Sequence, residues 1–292
     1  MLLTVLTPTY NRANTLKKLY DSLLQQTCKD FEWLIVDDGS FDETKDLIDS
    51  FIKENKIIIK YVYKKNGGKH TALNLGIELI QTELTIIVDS DDYLTGNAID
   101  TINNYYELNK ENKKIAFYSY LRVNRNGKIL CKPKKNNFVD NYLKIRIKNN
   151  LKGDMAEVFV NKILKNYRFL EFDNEKFISE DTLWIEIAKK YDTLFVNIPI
   201  YVCDYLTDGL TKNDKKYKFK SPFGSMLRGI QLMYKDCGIV ANIKGAIIYN
   251  CYKIEAGKDL ENIKQMNLYQ KTLISITKPL GVVFNHYWKK KR

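Results

Sequence analysis

Four short apolar runs, each followed by a polar cluster and, for the first three, by a helical segment, restrict what this chain of 292 residues can become. The runs are "LLTVLT" from Leu2, "FEWLIV" from Phe31, "KIIIKYVY" from Lys56 and "LTIIV" from Leu84, rich in β-branched residues and too short for helices. Between them, Asn14–Gln26 carries Leu16, Leu19, Leu23 and Leu24 on one helical face, Asp42–Lys53 forms a second helix, and Lys69–Ile80 carries Ala72, Leu73, Leu75, Ile77 and Leu79. Strands separated by helices of this length require right-handed crossovers, so the expected fold is α/β, a mostly parallel sheet with helices on both faces. Ligands bind such sheets beyond the carboxyl ends of the strands. The residues at those ends are Pro8–Arg12 ("PTYNR"), Asp37–Ser40 ("DDGS"), Lys64–His70 ("KKNGGKH") and Asp89–Asp92 ("DSDD"). All four fall on one rim and form one expected site.

Three carboxylates within four residues, Asp89, Asp91 and Asp92, need a cation or several donors, because each ionised carboxylate raises the cost of the next. With only two histidines and five scattered cysteines lacking any CxxC pair, a His-rich or thiolate metal centre is excluded, and a carboxylate site favours Mg²⁺ or Mn²⁺. The odd, dispersed cysteines read as free thiols in a reducing compartment. A nucleoside diphosphate suits the remaining groups. Asp37 or Asp38 could accept from a pyrimidine N3–H or a ribose hydroxyl, Tyr10 could stack, and Arg12 could reach phosphate. Asn66, Gly67 and Gly68 allow close backbone approach, and Lys69 opens a helix where anions are favoured. Asp91 would hold the cation, with Asp89 beside it.

Beyond Asn112 the periodicity loosens. "KIAFYSYLRV" reads as a strand, order returns at "MAEVFV", a helix is expected over Glu180–Lys190, and "TLFVNIPIYVCDYL" reads as a strand pair. After Phe219 the chain is mainly helical, as in Val240–Tyr252 and Leu268–Thr277, which places a boundary near residue 220. No basic-then-apolar leader opens the sequence and no window has the roughly 18 to 20 unbroken apolar residues of a spanning helix, so a cytoplasmic protein is expected.

The four rim motifs, taken in order with "FEWLIVDDGSFDET", "NGGKHTALNLG" and "VDSDDYL", resemble glycosyltransferase family 2, inverting enzymes with the GT-A fold. The resemblance covers residues 1 to about 211. It implies a GT-A domain over 1–220, with a nucleotide-binding half at 1–110 and an acceptor-binding half at 111–220, followed by a helical C-terminal region at 221–292. It implies a UDP-sugar donor, with Asp38 favoured over Asp37 for the uracil end and the Asp89-Ser90-Asp91 element for ribose and the metal-bound diphosphate. Pro8, Tyr10, Arg12, Asn66, Gly67, Lys69 and Asn74 complete the implied nucleotide-sugar site. The implied acceptor is a saccharide, free or lipid-linked, in bacterial surface polysaccharide synthesis such as that of capsule.

The family also carries a Glu-Asp pair at a helix start, matched by Glu180 and Asp181. Two carboxylates in a first helical turn also gain from the helix dipole, so a cap is the structural alternative. The functional reading makes Asp181 the base for the acceptor hydroxyl and Glu180 an orienting group. One departure stands out: where the family offers Arg or His near the diphosphate, this chain has Asp204 and Leu206, leaving water, Asp204 or Asp208 to complete the metal shell. His70 reads as pocket-lining or helix-starting.

The net charge of +12 is concentrated in Lys128–Lys152 and in the final "KKKR". A nucleic-acid-binding protein is the alternative drawn from charge alone, and a non-catalytic nucleotide-sugar binder is another; a Lys/Asn compositional bias accounts equally for the charge. Near the C-terminus Leu273, Ile276, Leu280, Val283, Phe284, Tyr287 and Trp288 form an apolar face beside that basic cluster. The face is a candidate for peripheral contact with an anionic membrane surface at the inner face of the plasma membrane, or for packing on the domain.

Overall fold

Strand β1 (Leu3–Thr9), helix α1 (Ala13–Leu24), β2 (Phe31–Asp37), α2 (Thr44–Glu54), β3 (Ile59–Tyr63), α3 (Lys69–Leu79) and β4 (Leu84–Ile87) follow one another in the order expected from the sequence. They belong to a computed structural model that describes residues 1–203, 214–260 and 265–290. Next come β5 (Tyr93–Leu94), α4 (Ala98–Asn109), β6 (Ile115–Asn124), β7 (Phe138–Asp140), β8 (Met155–Val160), α5 (Asn161–Leu164), α6 (Asp181–Ala188) and β9 (Asp192–Cys203). The last part is helical: α7 (Asp214–Lys220), α8 (Pro222–Leu232), α9 (Ile239–Ala256) and α10 (Leu268–Lys290).

The chain divides into two compact units. The first comprises Met1–Asn141, Lys152–Arg168 and Lys190–Leu206; the second comprises Tyr142–Leu151, Phe169–Lys189 and Thr207–Arg292. The first unit holds a nine-stranded sheet of order β3-β2-β1-β4-β8-β6-β9-β5, with β7 added beside β9. β1 pairs in parallel with β2 on one side and β4 on the other, and β2 pairs in parallel with β3. β8 runs antiparallel to both β4 and β6, so β6 shares the direction of β4, and β9 is parallel to β6. Among the described strands, β5, β7 and β8 run the other way.

β1 and β2 are buried at every position, as befits central strands covered on both faces. Leu16, Leu19, Tyr20 and Leu23 turn the apolar face of α1 onto them. Tyr20 stacks on Phe51 of α2 with centroids 4.0 Å apart and on Trp33 of β2 at 6.2 Å. The Trp33 indole N–H, which would otherwise be stranded in the core, donates to the Thr7 hydroxyl at 2.9 Å.

Two expectations are revised. The segment read as a strand pair is one 12-residue strand, β9. Its register against β6 shifts near Leu121 and Pro199, so the interruption in the sequence pattern is an irregularity inside a continuous strand. The final helix does not stop at Thr277 but continues through Pro279 to Lys290, because its packing against α9 resumes on both sides of the proline.

Replacing fully buried Trp33 by Ala leaves a large cavity and an unpartnered Thr7 hydroxyl. Urea unfolding of Trp33→Ala is expected to reveal a loss of about 3–5 kcal/mol.

Candidate active site

The loops after β1 and β2 are laced together. Asp38 N–H donates to the Thr9 carbonyl at 2.8 Å, Asn11 N–H to the Ser40 hydroxyl at 2.8 Å, and Phe41 N–H to the Asn11 side chain at 2.9 Å. Tyr10 stays 43% exposed at this edge, with Phe41 edge-on at 6.1 Å, and offers an aromatic surface to solvent. The two acidic residues after β2 are both buried and already engaged. Asp37 accepts from Ser40 N–H at 2.8 Å and from the Tyr61 hydroxyl at 2.8 Å.

Asp38 organises the third loop. Its carboxylate accepts from Lys64 Nζ (2.8 Å), Asn66 Nδ2 (3.1 Å), Gly67 N–H (2.9 Å) and Gly68 N–H (2.7 Å). A uracil N3–H approaching Asp38 therefore has to share or displace a donor, and Lys64 is the one on a flexible stem. Gly39, at φ +87°, lets the two loops touch: a Cβ there would lie 2.8 Å from the Asn66 backbone nitrogen.

At the end of β4, Asp89, Asp91 and Asp92 each offer a carboxylate oxygen, all within 4.8 Å of one another. Lys69, in the first turn of α3, reaches Asp89 at 2.5 Å and provides part of the counter-charge. The rest comes from behind. The Tyr201 hydroxyl, on β9, accepts from Asp89 N–H at 3.0 Å and donates to Asp92 at 2.9 Å. The Arg122 guanidinium lies 4.0 Å from the centroid of the Tyr201 ring and is anchored by its Nε to the Met155 carbonyl at 2.7 Å.

Burial opposes the charge on Asp89, but Lys69, Arg122 and Arg12 outweigh it and hold the carboxyl below its ordinary range. Asp91 and Asp92 are pushed up, first by burial and then by the Asp89 charge, Asp92 to about 7. Hard oxygen donors this close, two of them reluctant to ionise without a further positive charge, fit a divalent cation such as Mg²⁺ or Mn²⁺. Asp92, which the sequence reading left outside the metal set, belongs to the cluster.

The other expected residues fall in different surroundings. Arg12 is half-buried at the rim, and its backbone N–H donates to the Thr44 hydroxyl at 3.1 Å. Pro8 is buried within β1, Ser90 is buried in the acidic turn, and Asn74 is buried in α3 with its carbonyl accepting from Arg168 at 3.0 Å. His70 is buried in the first turn of α3. Asp204, Leu206 and Asp208 lie outside the described residues.

Glu180 and Asp181 stand in the second unit at the start of α6, both half-buried, and no side-chain hydrogen bond caps that helix. Asp181 instead takes both Nε and Nη2 of Arg228 on α8, at 2.7 to 3.0 Å, and the Ser179 hydroxyl at 2.6 Å. Burial disfavours its charge, yet Arg228 and Ser179 more than offset this and lower its pKa. Tyr201, Arg122 and Arg228 carried no signal in the sequence, since each is brought to its carboxylate from a distant element, and the rim motif that holds Lys64 does not mark it as a partner of Asp38.

A sequence profile described as "Glycosyl transferase family 2" matches residues 4–160. A Rickettsia felis protein named as an uncharacterized glycosyltransferase is 38% identical over 43% of this chain, and the chain spans about a fifth of that relative's length. A Campylobacter jejuni protein named GalNAc(5)-diNAcBac-PP-undecaprenol beta-1,3-glucosyltransferase is 29% identical over 72% of this chain and 69% of its own. Among solved structures, Staphylococcus aureus TarS 1-349 in complex with UDP-GlcNAc superposes with a TM-score of 0.64, covering 94% of this chain and 78% of that one at 17% identity. The shared fold is GT-A.

Because a cation must displace the proton held by Asp92, Mn²⁺ affinity is expected to rise by up to about tenfold per pH unit below pH 7 and to level off above it. Tyr201→Phe removes a hydrogen bond that favours the Asp92 anion, so the midpoint of that pH dependence moves upward. Calorimetric titration with Mn²⁺ from pH 5.5 to 8.5, an interval chosen to bracket about 7, measures both.

Proposed function

We propose that this chain, which belongs to glycosyl transferase family 2, is a metal-dependent inverting glycosyltransferase that moves a hexose-type unit from a UDP-sugar to a saccharide acceptor. The observation that carries the reading is the rim itself: a carboxylate cluster, a lysine at a helix start and a glycine loop held by Asp38 meet at the carboxyl ends of parallel strands. The bound UDP-GlcNAc in the TarS relative supports the same donor class here.

Asp89 and Asp91 would hold the cation, with Asp92 completing the carboxylate set, and such a cation offsets the charge that gathers on a departing diphosphate. Tyr10 and Arg12 receive the nucleotide's ring and phosphate, while Asp38 keeps the Asn66–Gly68 loop in position to approach it. Asp181 takes the proton of the acceptor hydroxyl as it attacks the anomeric carbon, and Glu180 orients the acceptor. A single displacement on the opposite face converts an α-linked donor into a β-linked product.

The Campylobacter relative's name specifies a saccharide on PP-undecaprenol, which supports a lipid-linked acceptor, a role in surface polysaccharide assembly and a place at the inner face of the plasma membrane. No described helix is long and apolar enough to cross a membrane. The bidentate Arg228–Asp181 pair favours one rival reading, a nucleotide-sugar binder without turnover, since it weakens Asp181 as a base.

Calorimetry of UDP with Mn²⁺ is expected to give metal-dependent binding that disappears in Asp91→Ala. Asp181→Asn is expected to keep UDP binding and lose transfer by about 10²–10⁴-fold. UDP binding with no turnover of any UDP-sugar by the wild type would establish the rival. Arg228→Gln removes the charge that holds Asp181 low, so the acidic limb of kcat/KM moves to higher pH.

A further inference from the structure

Helix α10 leaves an apolar stripe in water. Its fully buried positions are Gln270, Thr277, Gly281 and Asn285, with Trp288 half-buried against the Tyr252 ring of α9 at 6.2 Å, whereas Tyr269, Ile276, Leu280, Val283 and Tyr287 recur at intervals of three, four and seven on the exposed side. Ile276 remains 71% exposed and Val283 62%. A surface helix in water does the reverse, turning its apolar stripe inward.

The inward contacts explain how the helix is nonetheless held. Asn250 of α9 donates to the Ile274 carbonyl at 2.7 Å and the Thr277 hydroxyl at 3.1 Å, and Asn285 donates to the Cys251 carbonyl at 2.9 Å and Glu255 at 2.6 Å. Gly281 permits the close approach, since a Cβ there would sit 2.3 Å from the Asn250 Cβ. Small residues and amide side chains between helices, with apolar residues outward, are the packing of helices that meet an apolar medium.

Charge identifies that medium. α10 has no acidic residue; of its lysines, Lys289 pairs with Glu255 of α9 at 2.6 Å, while Lys271, Lys278 and Lys290 are exposed. From Thr207 to Arg292 the chain has 17 basic and 6 acidic residues, a second strongly basic region beside Lys128–Lys152. A second copy of α10 could match the three-and-four spacing, but it would add a second segment with the same excess of basic residues and no carboxylate on α10 to offset it. An anionic lipid surface answers both features, apolar contact for the stripe and phosphate for the lysines.

We propose that the outward face of α10 docks on an anionic phospholipid bilayer, lying in its surface plane. The docking deepens the reading of a membrane-borne acceptor and rests on it for its purpose, while the binding itself is measured without any sugar.

The experiment is flotation of the full chain with vesicles of phosphatidylcholine alone and of phosphatidylcholine with phosphatidylglycerol. Binding is expected only to the anionic vesicles and to weaken at high salt. Ile276→Ser with Val283→Ser, and separately Lys271→Glu with Lys278→Glu, are each expected to lower partitioning by roughly tenfold or more. Thermal melting and UDP–Mn²⁺ binding should stay as in the wild type, which separates lost docking from lost folding. Wild type that ignores anionic vesicles, or variants that bind as well as wild type, would overturn the proposal. So would a dimer in ultracentrifugation that Ile276→Ser with Val283→Ser makes monomeric, without vesicle binding. Loss of UDP binding alone would strike the donor assignment and leave the docking intact.

Discussion

Parallel pairing of β1 with both β2 and β4 is the constraint on which the first unit depends. Strands that share a direction deliver the residues following them to the same edge, however far apart they stand in the sequence. Tyr10, Asp38 and Asp89 are neighbours at one rim for that reason, and the crossover helices that make the pairing possible also bury both faces of the sheet. The stacked Tyr20, Trp33 and Phe51 join two of those helices to β2, so core packing and rim geometry are one arrangement.

The second constraint is electrostatic. A rim that collects three aspartates is unfavourable until their charge is met, and the protein meets it only in part. Lys69 from the front and Arg122 from behind stabilise Asp89, while Asp91 and Asp92 retain raised pKa values. Tyr201 couples the two sides, with one oxygen accepting from the backbone of Asp89 and donating to the side chain of Asp92. The remaining demand for positive charge is one that a hard divalent cation at the cluster would meet.

The second unit obeys different rules. Around α9 and α10, amide side chains, a glycine and the Tyr252–Trp288 contact hold helices together while a stripe of apolar residues is left outside. In water such an arrangement forgoes hydrophobic burial, and it becomes favourable when an apolar phase covers the outer face. Asp181 in the same unit shows how far tertiary pairing can change a residue's chemistry, because the fork of Arg228 converts a half-buried carboxyl into a firmly ionised one.

The alternation of strand and helix, the rim and its motifs were legible in the sequence because period, length and turn chemistry are local properties. Resemblance to the family rested on the same short motifs, and the matching profile spans them. Asp38 was legible as a site residue but not as the acceptor of four donors, since those donors come from a loop nearly thirty residues away. The continuity of β9 and the length of α10 were hidden by Pro199 and Pro279, which interrupt a pattern without ending the element. Local sequence determined which residues stand at strand ends and which faces are apolar. Only the tertiary structure decided which charges meet, because Tyr201, Arg122 and Arg228 reach their aspartates through packing between distant segments, and no local pattern encodes such an encounter.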